Sequence, residues 1–285
     1  MTSAFSPAHI TCFFRPVGSD DILSKGSRGA GIRLSKGTTV HISEISGRTK
    51  VTLNGHSQKA PITEHVLRNM SPDRNFDVTV ECDLPLGQGF GMSASGAVAA
   101  ALCLSEMTGK SRQDAFEAAH RAEVECGGGL GDVAGIMCDC HQPIRIREGI
   151  PPAGSIIDGG IAFESLSLVI IGDELRTSSV LNDPGTVSRI CEAGDRAMFD
   201  YLSDTTRNSL FRISNRFSKE SGVISDDIES MTFKLGAEGI RSSMCMLGNS
   251  IFSDSPSDVI EDIIGDPLII GTSSTDVPAQ IIRKA

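Results

Sequence analysis

Three groups of residues in this chain have types and spacings that could do chemistry. The first is Pro85-Leu-Gly-Gln-Gly-Phe-Gly-Met-Ser-Ala-Ser-Gly96. Glycines at 87, 89 and 91 can take positive φ and bring the backbone close to a ligand, and the first amides of a helix starting there lack internal partners. Such amides bind an anion, most naturally a phosphate. Ser93 and Ser95 fall in the first helical turn, where a hydroxyl either caps the helix or ligates magnesium or a phosphate oxygen. The plainer reading is a tight strand-to-helix connection. The second group is His120 and Glu123, one turn apart on one helix face, with Glu125 pointing away. Taken alone, these are solvated surface groups. The third is Asp132 within Gly127-Gly-Gly-Leu-Gly-Asp132-Val-Ala-Gly135, either a cap for the segment that follows or a carboxylate delivered to a bound hydroxyl.

The elements that would carry these groups are partly legible. Phe76, Val78, Val80 and Cys82 alternate with polar neighbours as a strand does, and Ala94 to Met107 favours a helix. Strand, glycine loop and helix follow in order. Thr108-Gly109 stops that helix, and Ser111 with Asp114 caps the next, from Arg112 to about Cys126. Ala4 to Phe14 reads as an extended strand interrupted by Pro7 and His9, a sign of a ligand edge. Gly26-Ser-Arg-Gly-Ala-Gly31 is either a hairpin turn or an anion nest with Arg28 beside it. Residues 38 to 53 suggest a hairpin turning at Ser46-Gly47, and 64 to 75 a covering loop or short helix. Arg145 and Arg147 share one face of a strand at 143 to 147, in reach of a carboxylate or merely solvated.

Other glycine motifs fail on position. A P-loop would need glycine where Leu104 precedes Gly109-Lys110-Ser111, and a serine-hydrolase elbow would need glycine at Ser95. A dinucleotide fingerprint fits Gly89, Gly91 and Ala94 loosely and lacks its later acidic residue.

Composition narrows the class. With 285 residues and 39% hydrophobic content the chain can bury one large core or two modest ones. A formal net charge of -10 argues against a nucleic-acid binder and against attraction to anionic membranes. Eight cysteines, no signal-like opening and no membrane-length apolar run predict a cytoplasmic protein with free thiols. Cys126, Cys138, Cys140 and His141 could be grouped as a zinc site, without the usual Cys-x-x-Cys spacing.

The pattern Pro-x-Gly-x-Gly-x-Gly-x-Ser-Ala resembles the phosphate-binding motif of the GHMP kinases, named for galactokinase, homoserine, mevalonate and phosphomevalonate kinases. Phe5-x-Pro-x-His-Ile-Thr11 followed by the Gly26 to Gly31 cluster resembles the archaeal pantoate kinases, a GHMP branch that phosphorylates pantoate on the route to coenzyme A. Ser243-Met-Cys-Met-Leu-Gly-Asn249 resembles that branch's form of the third motif. Two positions depart from it: Ala8 stands where Pro-Gly-His is expected, and Cys12 where glycine is common.

The resemblance implies an α+β, two-domain GHMP kinase fold. Residues 1–164 would form a ribosomal S5 domain 2-like, ATP-binding half, and residues 165–285 a ferredoxin-like half. It implies ATP and Mg2+ as cofactors. Pro85, Gly87, Gly89, Gly91, Ser93, Ala94 and Ser95 would hold the triphosphate, and Ser93 and Glu123 the metal, with Glu125 as fallback. Asp132 would approach the hydroxyl that is phosphorylated. Pantoate, a small carboxylate-bearing alcohol, would be met by His9, Ser27, Arg28, His120 and Arg145, with Arg147 an alternative anchor and His9 either replacing a lysine of other members or simply packing. No nucleic-acid or membrane partner is implied, and a homodimer is left open. The alternatives are another kinase of the superfamily acting on mevalonate, homoserine or shikimate, a nucleotide sensor without turnover, and a zinc-binding interaction protein.

Overall fold

The computed structural model describes residues 1–57, 59–175, 180–265 and 267–282. Two antiparallel strands dominate the first sheet: β1 (Thr2–Val17) and β2 (Gly26–Ile45). The expected interruption near Pro7 is a register shift between Pro7 and Ala8, with another between Thr11 and Phe13, inside one continuous strand. A proline has no N–H to donate, and a bulge absorbs that loss without ending the strand.

The strand β3 (Lys50–Leu53), the short β4 (His56–Ser57), helix α1 (Pro61–Met70) and strand β5 (Asn75–Cys82) follow. The expected hairpin of β2 with β3 does not form. The strand β5 lies between them, antiparallel to β2 and parallel to β3. Its alternation buries Phe76, Val78 and Val80, so a central position rewards it more than an edge would. Likewise the Gly26 to Gly31 cluster is neither turn nor nest. It is the start of β2, where small residues let β6 (Pro143–Arg147) pair with Gly29 and Ala30. The strand β7 (Ser155–Asp158) extends this branch.

In this half α2 (Met92–Thr108) and the short α4 (Asp132–Met137) pack on the sheet, and α1 and α3 (Arg112–Glu125) pack on α2. The central one, α2, is buried nearly all round, with Ala97 to Ala101 fully enclosed. Alanines give it helix propensity and let α1, α3 and the sheet approach closely. It ends at Gly109 in the left-handed region, and α3 starts with the expected Ser111–Asp114 capping box.

The second sheet runs β11-β8-β10-β9, built from β8 (Leu166–Ile170), β9 (Ser242–Met244), β10 (Ser250–Ser253) and β11 (Leu268–Thr272), all antiparallel. Helices α5 (Pro184–Ser203), α6 (Arg207–Glu220) and α7 (Asp226–Ala237) lie between β8 and β9, and α8 (Ser257–Ile264) between β10 and β11. In chain order this is the 4-1-3-2 arrangement of a ferredoxin-like unit.

The apolar interior does not stop at residue 164. Ile10, Phe13, Phe14 and Ile32 of the first sheet share one cluster with Leu168, Ile190 and Phe217. The last strand, β12 (Gln280–Ile281), returns to pair with β1 in the first sheet. Among the described residues, no helix is long and apolar enough to cross a membrane.

Candidate active site

The glycine loop adopts the conformation its sequence demands. Gly87, Gly89 and Gly91 have φ of 70°, 76° and 64°, and Gly91 is the N-cap of α2. Side chains are also excluded by what presses on the loop. A Cβ on Gly89 would lie 2.8 Å from the Cys245 carbonyl oxygen, and one on Gly91 would lie 2.5 Å from that of His9. The loop is thus clamped between β1 and the turn after β9, the place of the third motif. Ser250 Oγ donates to the Gln88 carbonyl at 2.6 Å, and the Gln88 side-chain amide donates to the Gly172 carbonyl at 2.9 Å.

Gly89→Ala is expected to cost about 1–2 kcal/mol from the left-handed backbone alone, with a further loss from the clash. Calorimetric titration with ATP and thermal unfolding should both show it, and unchanged ATP affinity would count against the loop as the nucleotide site.

A cleft of about 360 Å³ opens beneath this loop. Gly87, Gly89, Gly91 and Ser93 form one wall, Gly127 to Asp132 the other, and Thr11, Phe14, Ser27, Met246 and Leu247 line the remainder. The second glycine run, which ends α3, faces the first.

Glu123 lies directly under that second run. A Cβ on Gly128 would be 2.7 Å from its Oε2, and one on Gly129 would be 3.0 Å away. The carboxylate is buried, and neither oxygen has a hydrogen-bond partner among the described residues. Burial pushes its pKa up to about 8, against the pull of the Ser93 hydroxyl and with the Asp132 charge adding to the rise. An orphaned buried carboxylate beside a serine hydroxyl is an all-oxygen donor set, the chemistry that suits Mg2+.

Asp132, the first residue of α4, keeps a quarter of its side chain exposed to the cleft. Its Oδ1 accepts from His9 Nδ1 at 2.8 Å and from Thr11 Oγ1 at 3.2 Å. Burial raises this carboxyl. The bonds from His9 and Thr11, together with the Arg145 charge, outweigh that effect and hold it below the usual carboxylate range. It is therefore ionised at neutral pH.

The remaining candidates divide into those at the cleft and those behind it. Ser27 lines the cleft. Arg145 sits one layer below, 1% exposed, its Nε donating to the Ser27 carbonyl at 3.3 Å and its Nη2 unpartnered among the described residues. His9 is fully buried behind Asp132 and does not line the cleft.

Other expected site residues have partners or positions away from the cleft wall. Arg28 follows Ser27 on a strand, so it points to the opposite face, where it meets Glu148 at 3.1 Å. His120 is buried and its Nε2 faces the Ile22 and Lys25 carbonyls at 3.1 and 3.0 Å, which fastens the segment before β2 instead of contacting the cleft. The Ser95 hydroxyl is taken up by the Ser6 carbonyl at 2.7 Å, Ala94 packs in the core, and Pro85 lies off the cleft wall. Glu125 pairs with His65 at 2.7 Å, far from a metal-binding role, and Arg147 is exposed and bonded to the Pro152 and Gly154 carbonyls. The zinc grouping has no ligand set. Cys126 lies near the Pro61 carbonyl, the Cys138 and Cys140 Sγ atoms are 2.7 Å apart, His141 turns to Ser274, and no three ligand types converge among the described residues.

Thr11 was not foreseen. The signal was present, because His9 and Thr11 are two residues apart on a strand and so share a face.

Residues 59–139, a span that contains the glycine loop, Glu123 and Asp132, match the family model described as the GHMP kinases N terminal domain. The chain is 34% identical over 279 residues to a pantoate kinase of Thermococcus kodakarensis, covering 92% of this chain and 91% of that protein. It is 30% identical over 276 residues to a pantoate kinase of Methanocaldococcus jannaschii, covering 93% and 98%. A solved structure described as a phosphotransferase related to the CoA biosynthesis pathway superposes with a TM-score of 0.89 at 30% identity, over 99% of this chain and 98% of that one. Within the GHMP kinases, this chain belongs to the pantoate kinase family.

Proposed function

We propose that this protein is an ATP-dependent kinase that transfers the γ-phosphate of ATP to the terminal hydroxyl of (R)-pantoate, giving 4-phosphopantoate for coenzyme A biosynthesis. The observation that carries the reading is the cleft itself: an ionised aspartate, Asp132, stands across from a positive-φ glycine loop at a helix N-terminus. Phosphoryl transfer asks for positioning and charge neutralisation more than covalent help, and these are what the residues offer.

In this reading the amides of residues 87 to 93 receive the triphosphate. The helix end contributes only about 0.3–1 kcal/mol of that electrostatics. Ser93 and Glu123 would hold Mg2+, which when bound neutralises phosphate charge. Asp132 orients the acceptor hydroxyl and takes its proton as the oxygen bonds to phosphorus, a role worth roughly two to four powers of ten in rate. Ser27 contacts the pantoate carboxylate, and Arg145 beneath it supplies positive charge at this point. Residues 1–164 and 165–285 serve as the nucleotide-binding half and its partner, with the shared core described above joining them. A cytoplasmic location and a homodimer belong to the same proposal, the latter open to sedimentation analysis.

The test is ATP-dependent phosphate transfer to pantoate, pantothenate, mevalonate, homoserine and shikimate in parallel. Pantoate is expected to be phosphorylated with a kcat/KM well above the others. Preference for another acceptor would overturn the substrate while leaving the nucleotide site intact.

A further inference from the structure

His9 has three connections that together define one role. Its backbone N–H donates to the Phe90 carbonyl at 3.2 Å, which ties β1 to the glycine loop. Its ring Nδ1 lies 2.8 Å from Asp132 Oδ1. Its ring Nε2 faces Arg145 Nη1 at 3.5 Å, a long contact inside a fully buried site. A guanidinium has donors only, so the nitrogen it faces is the one without hydrogen. The proton is then on Nδ1 and points at Asp132.

The ring has no alternative position. A Cβ on Gly31 would come within 2.2 Å of His9 Nε2, and one on Gly135 within 2.5 Å, so two glycines leave just enough room for the imidazole between β2 and α4. Arg33 and Arg145 are the cations that act on this ring, and Asp132 is the anion.

The consequences fall on the aspartate. His9 and Thr11 both direct their hydrogens to Oδ1. Oδ2 has no protein partner among the described residues, and a Cβ on Gly129, which lines the cleft, would be 3.1 Å from it.

We infer that His9 is a positioning residue, locked by Arg145 as the neutral Nδ1–H tautomer, that anchors Asp132 through Oδ1 and sets it against the glycine loop, leaving Oδ2 as the atom that accepts the acceptor's proton. The inference rests on the kinase reading of the cleft. It assigns His9 no contact with the substrate and makes the Arg145 guanidinium a determinant of the tautomer. In the step itself, the hydroxyl oxygen bonds to the γ-phosphorus, the bond to the bridging oxygen of ADP breaks, and the hydroxyl proton passes to Oδ2.

The first measurement needs no turnover: nitrogen-proton correlation spectra of the histidine rings in the intact protein, with His9 assigned by its absence in His9→Asn. A neutral ring protonated at Nδ1 between pH 6 and 8 is expected. A ring protonated at Nε2, or at both nitrogens at pH 7, overturns the inference whatever the substrate proves to be.

The second compares two variants that each keep one nitrogen. In His9→Asn the side-chain amide takes the place of Nδ1, and in His9→Gln it takes the place of Nε2. His9→Asn should keep kcat within about threefold of wild type, whereas His9→Gln should lose about a hundredfold, as expected for a misplaced catalytic group. The KM values for ATP and pantoate should change little in either. Equal losses in both variants, or a loss confined to the KM for pantoate, would refute the positioning role. Transfer to a different acceptor with the same pattern of kcat values would change the substrate but retain the role of His9.

Discussion

Asp132→Asn is expected to lower kcat by about two to four powers of ten while ATP still binds. The substitution is nearly isosteric. Its Oδ1 can still accept from His9 and Thr11, so α4 and the glycine run before it keep their positions. What is lost is the free oxygen facing the cleft, replaced by an amide nitrogen that cannot take a proton. Steady-state kinetics with pantoate, titration calorimetry with ATP and a thermal melt separate these effects. A rate within tenfold of wild type would remove Asp132 from the chemistry. Loss of ATP binding would point to a structural cause.

Glu123→Gln is expected to move activity and metal-free stability in opposite directions. Turnover with ATP should fall by roughly two powers of ten or more, because a charged oxygen ligand is lost where several kcal/mol of charge stabilisation would originate. Stability follows from linkage. In the unfolded chain this carboxyl ionises near 4.5, whereas in the fold burial keeps its proton to about 8. Between those values the native state binds the additional proton, so wild-type stability falls as pH rises through the window and levels off above it. The loss amounts to a few kcal/mol at most, on the order of 1.4 kcal/mol for each pH step across that window. Glutamine has no proton to lose, so the variant should melt higher than wild type near pH 8 in chelator. Added Mg2+ should raise the wild-type melting temperature and leave that of the variant unchanged. Parallel pH profiles for the two proteins would refute the assignment of the buried charge.

Both predictions concern residues carried by elements whose local causes are legible in the sequence. Alternate glycines from 87 to 91 announce a backbone that no other residue adopts cheaply, and the structure places all three at positive φ. Ser111 and Asp114 mark the start of α3 because the capping bonds close within four residues. The alternation from Phe76 to Cys82 marks a strand because one face is buried. Glu123 and Asp132 are different: by its own pattern the first reads as a solvated group beside His120 and the second as a helix cap, and their roles come from the resemblance to the GHMP kinases.

The destination of a side chain was less legible. Arg145 and Arg147 read alike in sequence, yet the first lies beneath Ser27 while the second is exposed, because the pairing of β6 with β7 slips a register between them. Arg28 and Ser27 are neighbours with opposite fates because successive side chains of a strand point to opposite faces. Ser95 looked as available as Ser93 until the Ser6 carbonyl claimed it.

By itself, then, the sequence determined the local vocabulary of this protein: the glycine-loop conformation, the helix boundaries and the strands. Each depends on φ, capping or periodicity within a few residues. Only the tertiary structure decided that β5 separates β2 from β3, that Glu123 is left without a partner under a glycine turn, and that His9 meets Asp132 across 123 positions of chain. Those outcomes depend on sheet register and on competition for buried space between distant segments, and neither is encoded in any one stretch.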